Sequence, residues 1–303
     1  MEFNHKKVLI IGTGLSGIAA ARLLQKVNAE VILYDGNESL TEEIVREKLP
    51  EGIKADIIIG KFPPEITETI DLVILSPGVP TDLDYINNIR EEGIPIWGEV
   101  ELAYQFSKGK IAAITGTNGK TTTTALVEAI LKMYYKEVFV VDNIGTHYTD
   151  MASEMTSESV TVTNMSSFQL ETINEFKPRV YALLNVSPDH LDRHHTMENY
   201  IQAKLNITKN QGLEDTCVLN YEDEVLREAG SKLNSKVIYF SSQRRLQQGI
   251  YLEEDLIILA EMEKKTVVCN IHELKILGRH NYENVMAGIV IGLEMGVPLP
   301  YIQ

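Results

Sequence analysis

The sequence has little of what secreted and membrane-spanning proteins need. Only two cysteines, Cys217 and Cys269, occur among 303 residues, far apart and in unlike contexts. A disulfide framework is therefore excluded, and reduced thiols in a reducing compartment are expected. No apolar run approaches the length that spans a membrane, and the short apolar stretch after the first residues does not resemble a signal peptide. These absences predict a cytoplasmic protein.

Basic residues are also scarce. The chain has 28 Lys and Arg against 43 Asp and Glu, which gives a formal net charge of −15. Such a charge repels nucleic acid and anionic membranes, so local groups must hold any anionic ligand. We expect small-molecule partners, no nucleic acid or membrane partner, and a monomer.

What the sequence does contain is an alternation of apolar, β-rich runs with amphipathic stretches. Continuous apolar strands between helices are typical of a parallel sheet covered on both faces. A first α/β domain is expected over residues 1–98, with a helix at 16–27. Its expected strands are 7–12, 30–35, 56–60, 71–78 and 94–99.

A second α/β domain is expected over residues 99–303, with its regular structure ending near residue 298. Its helices are expected at 120–135, 197–210 and 281–296. Antiparallel hairpins are expected after residue 250. Its other expected strands are 110–116, 137–141, 159–164 and 179–186, followed by "CVLN" and "KVIYF". The fold class is thus α/β: a Rossmann-like domain, then a P-loop ATPase-type domain with a mostly parallel sheet.

The first glycine loop is "GTGLSG" (12–17), which fits G-x-G-x-x-G between a strand and a helix. Glycines let the backbone approach a phosphate, and the helix N-terminus offers free N–H groups. With Asp35 at the end of the second strand, the pattern alone predicts a dinucleotide with its ribose on Asp35. The motif is weak by itself. A tight turn that only packs the helix on the strand remains the alternative.

The second loop is "GTNGKTT" (116–122). The usual phosphate loop reads G-x-x-x-x-G-K-[ST], but Ile114 stands where its outer glycine is expected. The Lys and hydroxyl groups that contact phosphates and Mg²⁺ are kept. An exposed, threonine-rich helix start is the alternative. The triphosphate-binding residues predicted here are Gly116, Thr117, Asn118, Gly119, Lys120, Thr121 and Thr122.

The form T-G-T-N-G-K-T-T is characteristic of the Mur ligases, the ATP-dependent amide-forming enzymes of peptidoglycan precursor synthesis, and is shared by the folylpolyglutamate synthases. Further motifs favour the first family and span nearly the whole chain. They are "LSPGVP" (75–80), "GEVEL" (98–102), "NIG" (143–145), "SSFQLE" (166–171), "DHLDRH" (189–194), "AK" (203–204) and "GRHNYEN" (278–284). The chain resembles the branch that joins D-glutamate to UDP-N-acetylmuramoyl-L-alanine.

The resemblance implies that the first loop holds the UDP part of a nucleotide-sugar rather than NAD. It also implies ATP and Mg²⁺ as cofactors, with UDP-N-acetylmuramoyl-L-alanine and D-glutamate as small-molecule substrates. ATP would phosphorylate the substrate carboxylate before an amine attacks it. The residues implied to contact the nucleotide-sugar are Leu15, Ser16, Asp35, Gly78, Asn143, Ser166 and Gln169.

Three residues are implied to be catalytic. Lys120, with Thr121, would hold the γ-phosphate and one Mg²⁺, and His190 would bind a second Mg²⁺. Lys204 matches a lysine that the family carries as a carbamate, and Asn281 matches a position that contacts adenine. Two alternatives stay open: His190 could form a zinc pair with His194, four residues on, and Lys204 could be a surface lysine.

Three departures from the family pattern qualify these expectations. Asn164 stands where an acidic Mg²⁺ ligand is usual, so it is a doubtful ligand. Asp142 replaces an expected glycine, and His147 stands where proline is common. The chain ends at Gln303, where the family has a third domain, so we expect it to fold but to form no amide alone. A non-catalytic ATP- and UDP-sugar-binding fragment, or an NAD-dependent oxidoreductase, are the alternative functions.

Overall fold

The computed structural model describes residues 2–142 and 145–303. The chain folds into two compact units, each built from more than one chain segment. Within the described residues, no helix is both long and apolar enough to cross a membrane. The first unit comprises Met1–Lys108, Asn143–Met155 and Phe168–Phe176, and the second comprises Gly109–Asp142, Thr156–Ser167 and Lys177–Gln303.

Strands and helices alternate through most of the chain. The strands are β1 (Lys7–Ile11), β2 (Glu30–Asp35), β3 (Ala55–Ile59), β4 (Leu72–Leu75), β5 (Ile96–Gly98), β6 (Lys110–Thr115), β7 (Val138–Val141), β8 (Val160–Asn164), β9 (Val180–Leu183), β10 (Thr216–Asn220), β11 (Lys236–Ser241), β12 (Gln248–Glu253), β13 (Leu256–Glu261) and β14 (Lys264–Asn270). The helices are α1 (Leu15–Lys26), α2 (Glu42–Lys48), α3 (Asp84–Glu91), α4 (Glu99–Phe106), α5 (Lys120–Lys132), α6 (Tyr148–Met151), α7 (Ser167–Leu170), α8 (Leu191–His194), α9 (Met197–Leu205), α10 (Glu224–Gly230) and α11 (Arg279–Glu294).

The sheet of the first unit is parallel, in the order β3-β2-β1-β4-β5. The apolar runs become strands because residues such as Leu9 and Val73 are fully buried between helices. The chain leaves β1 toward β2 on one side and returns to β4 on the other. In such sheets ligands bind at the carboxyl ends of the two strands where the order reverses. Gly12 follows β1 and Gly78 lies in the turn after β4.

The sheet of the second unit has the order β14-β13-β12-β11-β10-β9-β6-β8-β7. Neighbours from β7 to β12 are parallel, whereas β12, β13 and β14 form antiparallel pairs. Helices α5 and α11 pack together over it. Gly292 in α11 allows this, because a Cβ there would crowd Ile130 of α5. The predicted α/β class with mostly parallel sheets is confirmed.

The structure adds elements that the sequence pattern did not reveal, chiefly the short helices α2, α3, α4 and α10. It also divides the chain differently from the predicted boundary at 98/99. Helix α4 belongs to the first unit, because the Gly98 N–H donates to the Thr172 carbonyl at 3.0 Å and α4 packs on α6 and α1. The domain boundary therefore stays a prediction.

Candidate active site

The phosphate loop connects β6 to α5 in the second unit. Gly116 and Gly119 have φ angles of 155° and 87°, a backbone region that glycine enters at no steric cost. A Cβ on Gly119 would also overlap with the Asn284 side chain. Only glycine therefore fits at Gly119. The free N–H groups of the first turn of α5 face the loop, as an anion site requires.

Two lysines converge on this loop. The Lys120 ammonium donates to the carbonyls of Gly116 and Thr117, at 2.9 and 3.1 Å. The Lys204 ammonium donates to the same Gly116 carbonyl at 3.0 Å. Two cations thus share one carbonyl oxygen, which places positive charge directly beside the helix N-terminus. The surroundings favour an anion in that place.

Both lysines are easier to deprotonate than ordinary lysines. Burial lowers the pKa of Lys120, an effect that the Asp189 carboxylate opposes. Lys204 is only 2% exposed, and burial, reinforced by the charge of Lys120, lowers its pKa to about 7. The alternative of a surface lysine at Lys204 is wrong, because α9 directs this side chain into the protein.

The phosphate loop is held by side chains that no sequence motif pointed to. Asn185 accepts from the Asn118 N–H at 2.8 Å and donates to the Asn118 carbonyl at 3.0 Å. The Thr117 hydroxyl lies 3.1 Å from the Tyr200 hydroxyl, and the Tyr200 ring lies 4.7 Å from the Lys204 ammonium. Asn185 and Tyr200 carry no short-motif signal, so only the folded chain brings them to the loop.

A cavity of about 310 Å³ opens beside the phosphate loop. Asn281, at the start of α11, donates to the Leu277 carbonyl at 2.8 Å, and its own side-chain oxygen accepts from buried Asn284 at 3.4 Å. Asn281 thus adjoins the cavity through Asn284 without lining it. The lining residues are Asn118, Gly119, Leu184, Asn185, Phe240, His280, Glu283 and Asn284.

The residues expected to bind metal lie at one edge of the sheet. Strands β8 and β9 flank β6 and run parallel to it, so their carboxyl ends meet the phosphate loop. Asn164 ends β8, His190 lies in the segment after β9, and Thr121 lies exposed in the first turn of α5. Among the described residues, no group of three or more His, Cys, Asp and Glu is placed to hold a metal.

The two histidines of the zinc alternative have different environments. His190 is partly exposed, and its ring lies 3.4 Å from the carboxylate of its neighbour Asp189. His194 is buried, with its ring nitrogen 2.9 Å from the Ser167 hydroxyl. Burial lowers the pKa of His194, and the charge of Arg193 adds to this. His194 therefore packs against the "SSFQLE" segment, next to Ser166.

The first glycine loop is hydrogen-bonded to the side chain of Asp35, at the end of β2. The N–H and hydroxyl of Thr13 donate to Asp35 at 2.9 and 2.7 Å. Burial raises the pKa of Asp35, but these bonds and one from the Asn37 N–H leave it below its ordinary value. A Cβ on Gly17 would overlap with the Gly12 carbonyl. The loop is therefore tight enough to serve only for packing α1 on β1. A phosphate site needs the same tight loop, so the geometry is compatible with both alternatives.

A second cavity, of about 410 Å³, lies against this loop and contains Leu15. Ser16 is half-buried and Gly78 is exposed, whereas Gln169 is buried. Asn143, the remaining residue expected to contact the nucleotide-sugar, lies outside the described residues. The cavity lining comprises Thr13, Gly14, Leu15, Ile18, Arg22, Lys48, Pro50 and His147.

Comparisons with known proteins agree with the motifs. Residues 6–98 match the Mur ligase MurD-like N-terminal domain, and residues 114–292 match the Mur ligase middle domain. A UDP-N-acetylmuramoylalanine–D-glutamate ligase of Lachnoclostridium phytofermentans is 56% identical over 303 residues, all of this chain and 67% of that protein. The protein of the same name from Clostridioides difficile is 43% identical, over all of this chain and 67% of its own length. The chain thus spans about two thirds of the length of these relatives.

Solved structures share the fold. A UDP-N-acetylmuramate:L-alanyl-γ-D-glutamyl-meso-diaminopimelate ligase from Neisseria meningitides superposes with a TM-score of 0.61 at 16% identity, covering 98% of this chain and 96% of that one. A UDP-N-acetylmuramate–alanine ligase from Thermotoga maritima gives 0.53 at 22% identity, covering 98% and 67%. The resemblance indicated by the motifs is confirmed. The chain belongs to the Mur ligase family, with a MurD-like N-terminal domain followed by a Mur ligase middle domain.

Proposed function

We propose that this chain provides the nucleotide and nucleotide-sugar sites of an enzyme that joins D-glutamate to UDP-N-acetylmuramoyl-L-alanine, with ATP as the energy source, in peptidoglycan precursor synthesis. Mur ligases are ATP-dependent ligases, and the relatives above carry the name of this reaction. The observation that carries the proposal is the convergence of Lys120 and Lys204 on the Gly116 carbonyl at the N-terminus of α5.

The residues around this point fit a Mg–ATP complex. Lys120 and the free helix N–H groups suit the β- and γ-phosphates. The cavity lined by Asn284 and Phe240 combines apolar and polar groups, as a site for a base requires. We assign the phosphates to 116–122 and the base to the neighbourhood of Asn281. Bound ATP would supply the phosphoryl group, and Mg²⁺ would neutralise phosphate charge.

The chain's own groups would position and stabilise the reacting atoms. Lys120 would hold the γ-phosphate as a fixed positive charge. Lys204, with a pKa near 7, holds a neutral amine in a large fraction of molecules near neutral pH, which allows it to become a carbamate and thus an anion. Thr121 and His190 would bind Mg²⁺, with Asn164 as the doubtful third ligand.

We assign the nucleotide-sugar to the first glycine loop and the cavity beside it, with Leu15, Ser16, Asp35, Gly78, Asn143, Ser166 and Gln169 as its contacts. We further propose a cytoplasmic monomer with small-molecule partners, because both cysteines are free and the net charge is negative. An NAD-dependent oxidoreductase would not account for the phosphate loop at residues 116–122.

Calorimetric titration of the 303-residue chain tests the assignment. UDP-N-acetylmuramoyl-L-alanine should bind, and NAD should not displace it. ATP should bind separately, and Lys120→Ala should weaken ATP at least tenfold, since a charged hydrogen bond is lost, while leaving the nucleotide-sugar affinity unchanged. Lys132→Ala, in the same helix but on its exposed face, is the matched control.

Three results would contradict the proposal. NAD binding in place of the nucleotide-sugar would favour the oxidoreductase. Loss of both ligands in folded Lys120→Ala protein would refute two separate sites. Binding of both ligands by a longer version that never forms amide would support the non-catalytic alternative.

A further inference from the structure

The cavity beside the first glycine loop has a cationic side. Arg22 of α1 and Lys48 of α2 line it together with the backbone at Gly14, where α1 begins. Helix α1 has 12 residues, so its N-terminal N–H groups and dipole add to this positive side. The cavity is the place proposed above for the nucleotide-sugar, and the inference below rests on that proposal.

His147 lines the same cavity and has an unsatisfied nitrogen. The residue is only 6% exposed, and within the described part of the chain its Nδ1 atom has no hydrogen-bond partner. The same holds for Nε of Arg22, whose terminal nitrogen contacts Asp150 at 2.8 Å. More than nine in ten buried polar groups in folded proteins have a partner. Both atoms are also closed to solvent, so a ligand in the cavity would meet the other edge of the imidazole ring.

A buried carboxyl group interacts with His147. Glu99, at the start of α4, accepts from the N–H and hydroxyl of Thr149 at 3.2 and 3.1 Å. Its other oxygen has no partner among the described residues. Burial raises the pKa of Glu99, while His147 acts electrostatically in the opposite direction. A carboxyl group that interacts with a histidine restricts the orientation of the imidazole.

We propose that His147 is an additional binding residue for the nucleotide-sugar, and that its imidazole donates to an oxygen of the diphosphate, with Arg22 beside it. The diphosphate is the anionic group that the loop backbone would hold in the proposed site, and hydrogen bonds to an ionised phosphate are among the stronger ones. Proline is common at this position in the motif that the chain resembles. The contact is therefore a property of this chain rather than of the family pattern.

The backbone permits a clean variant. His147 has a φ angle of −68°, which proline adopts without strain, so His147→Pro removes the imidazole at a backbone angle that the new residue allows. His147→Gln retains a side-chain donor. His272→Ala changes an exposed histidine of the second unit that contacts Asp255, and it serves as the matched control.

The test compares two ligands of the 303-residue chain. UDP-N-acetylmuramoyl-L-alanine is titrated by calorimetry, and uridine, which lacks the diphosphate, by ligand-observed NMR. His147→Pro should weaken the nucleotide-sugar about tenfold, the effect of losing one charged hydrogen bond, and leave uridine within twofold. His147→Gln should restore part of the loss, and His272→Ala should match the unchanged protein.

Equal nucleotide-sugar affinity in His147→Pro and the unchanged protein would overturn the inference and leave the proposed function intact. Equal losses for uridine and the nucleotide-sugar would also overturn it, because they would indicate that His147 only supports the turn. If the unchanged chain binds no nucleotide-sugar, the proposed function fails first, and the inference fails with it.

Discussion

Lys204 shows how a single buried side chain acquires chemistry that its type does not ordinarily have. Its ammonium group donates to the Gly116 carbonyl and lies over the Tyr200 ring. Since burial and Lys120 lower its pKa to about 7, the neutral amine fraction rises as pH rises through 7. In the unfolded chain, a lysine ammonium group loses its proton only near pH 10.4.

We therefore predict that Lys204 reacts with carbon dioxide at pH 7.5, where exposed lysines remain protonated. A carbamate signal should appear in the ¹³C NMR spectrum of the chain in ¹³C-bicarbonate, and it should weaken as pH falls below 7. Lys204→Arg should lack the signal, and Lys132→Arg should retain it. A signal that persists in Lys204→Arg, or none in the unchanged chain, would contradict this prediction.

Asn164 is the residue at which the chain departs most from the chemistry implied by its family motif. At about 4 Å and an effective dielectric near 20, a unit charge pair contributes roughly 4 kcal/mol, doubled for a divalent ion before desolvation is counted. Even a quarter of that total exceeds a tenfold change in affinity. A neutral amide at this position should therefore leave the proposed second metal site weak.

Asn164→Glu should strengthen the second site more than tenfold and leave the first ion unchanged. Mn²⁺ titration followed by EPR, with a non-hydrolysable ATP analogue present, counts both ions. Asn164→Gln, which lengthens the side chain without adding charge, is the control. Two equally tight ions in the unchanged chain would show that another group already supplies the missing charge.

At the scale of the element, Glu101 ties helix α4 to a turn 73 residues further along the chain. Its buried carboxylate accepts from the N–H groups of Asn174 and Phe176 at 2.7 and 3.0 Å, and from Glu175 at 3.0 Å. The Glu101 carboxylate thus accepts hydrogen bonds from successive backbone N–H groups of the turn, as an N-cap side chain does at the start of a helix.

We predict that Glu101→Ala lowers the free energy of unfolding by about 3 kcal/mol, since three hydrogen bonds from backbone N–H groups to a carboxylate are lost, one of them from buried Phe176. Urea denaturation measures the loss, and hydrogen exchange at residues 174–176 should accelerate. Glu91→Gln, on the exposed end of α3, is the control. An unchanged midpoint in Glu101→Ala would refute the structural role of the carboxylate.

The sequence predicted the elements whose signal is local. Strands such as β1 and β6 are continuous apolar runs, and the glycines at 12, 116 and 119 mark turns that other residues cannot form. The short helices were missed because they span only seven or eight residues. Helix α2 has a single buried apolar residue, Val45, and α3 has one buried pair three residues apart, Ile86 and Ile89. Asn185, Tyr200, Glu99 and Glu101 were missed because their partners lie far away in the sequence. Pairing of that kind arises only on folding.

At the scale of the whole chain, the first unit is discontinuous. Its sheet and helices α1 to α4 come from the first 108 residues, but it also contains α6 and the turn at 174–176. Bonds such as that between Arg22 and Asp150, at 2.9 Å, join these segments. A domain boundary drawn from the linear sequence cannot represent such a unit.

We predict that a fragment of residues 1–108 does not reach the native state, because it leaves Glu99, Glu101 and the apolar face of α1 without their partners. Its amide NMR spectrum should lack the dispersion that the 303-residue chain shows. A fragment of residues 1–176 should regain the first-unit signals. A well-dispersed, cooperatively unfolding 1–108 fragment would contradict the prediction.

The same discontinuity sets an order of events during synthesis. A ribosome that has made Lys108 has not yet made the segments that complete the first unit, and these follow only with Phe176. At about 5–20 residues per second, the nascent chain waits several seconds in this incomplete form. Meanwhile β6, α5 and β8 of the second unit emerge before the first unit can close. Slowing translation before Phe176 has left the ribosome should therefore prolong exposure of the first unit to chaperones, whereas slowing it afterwards should not.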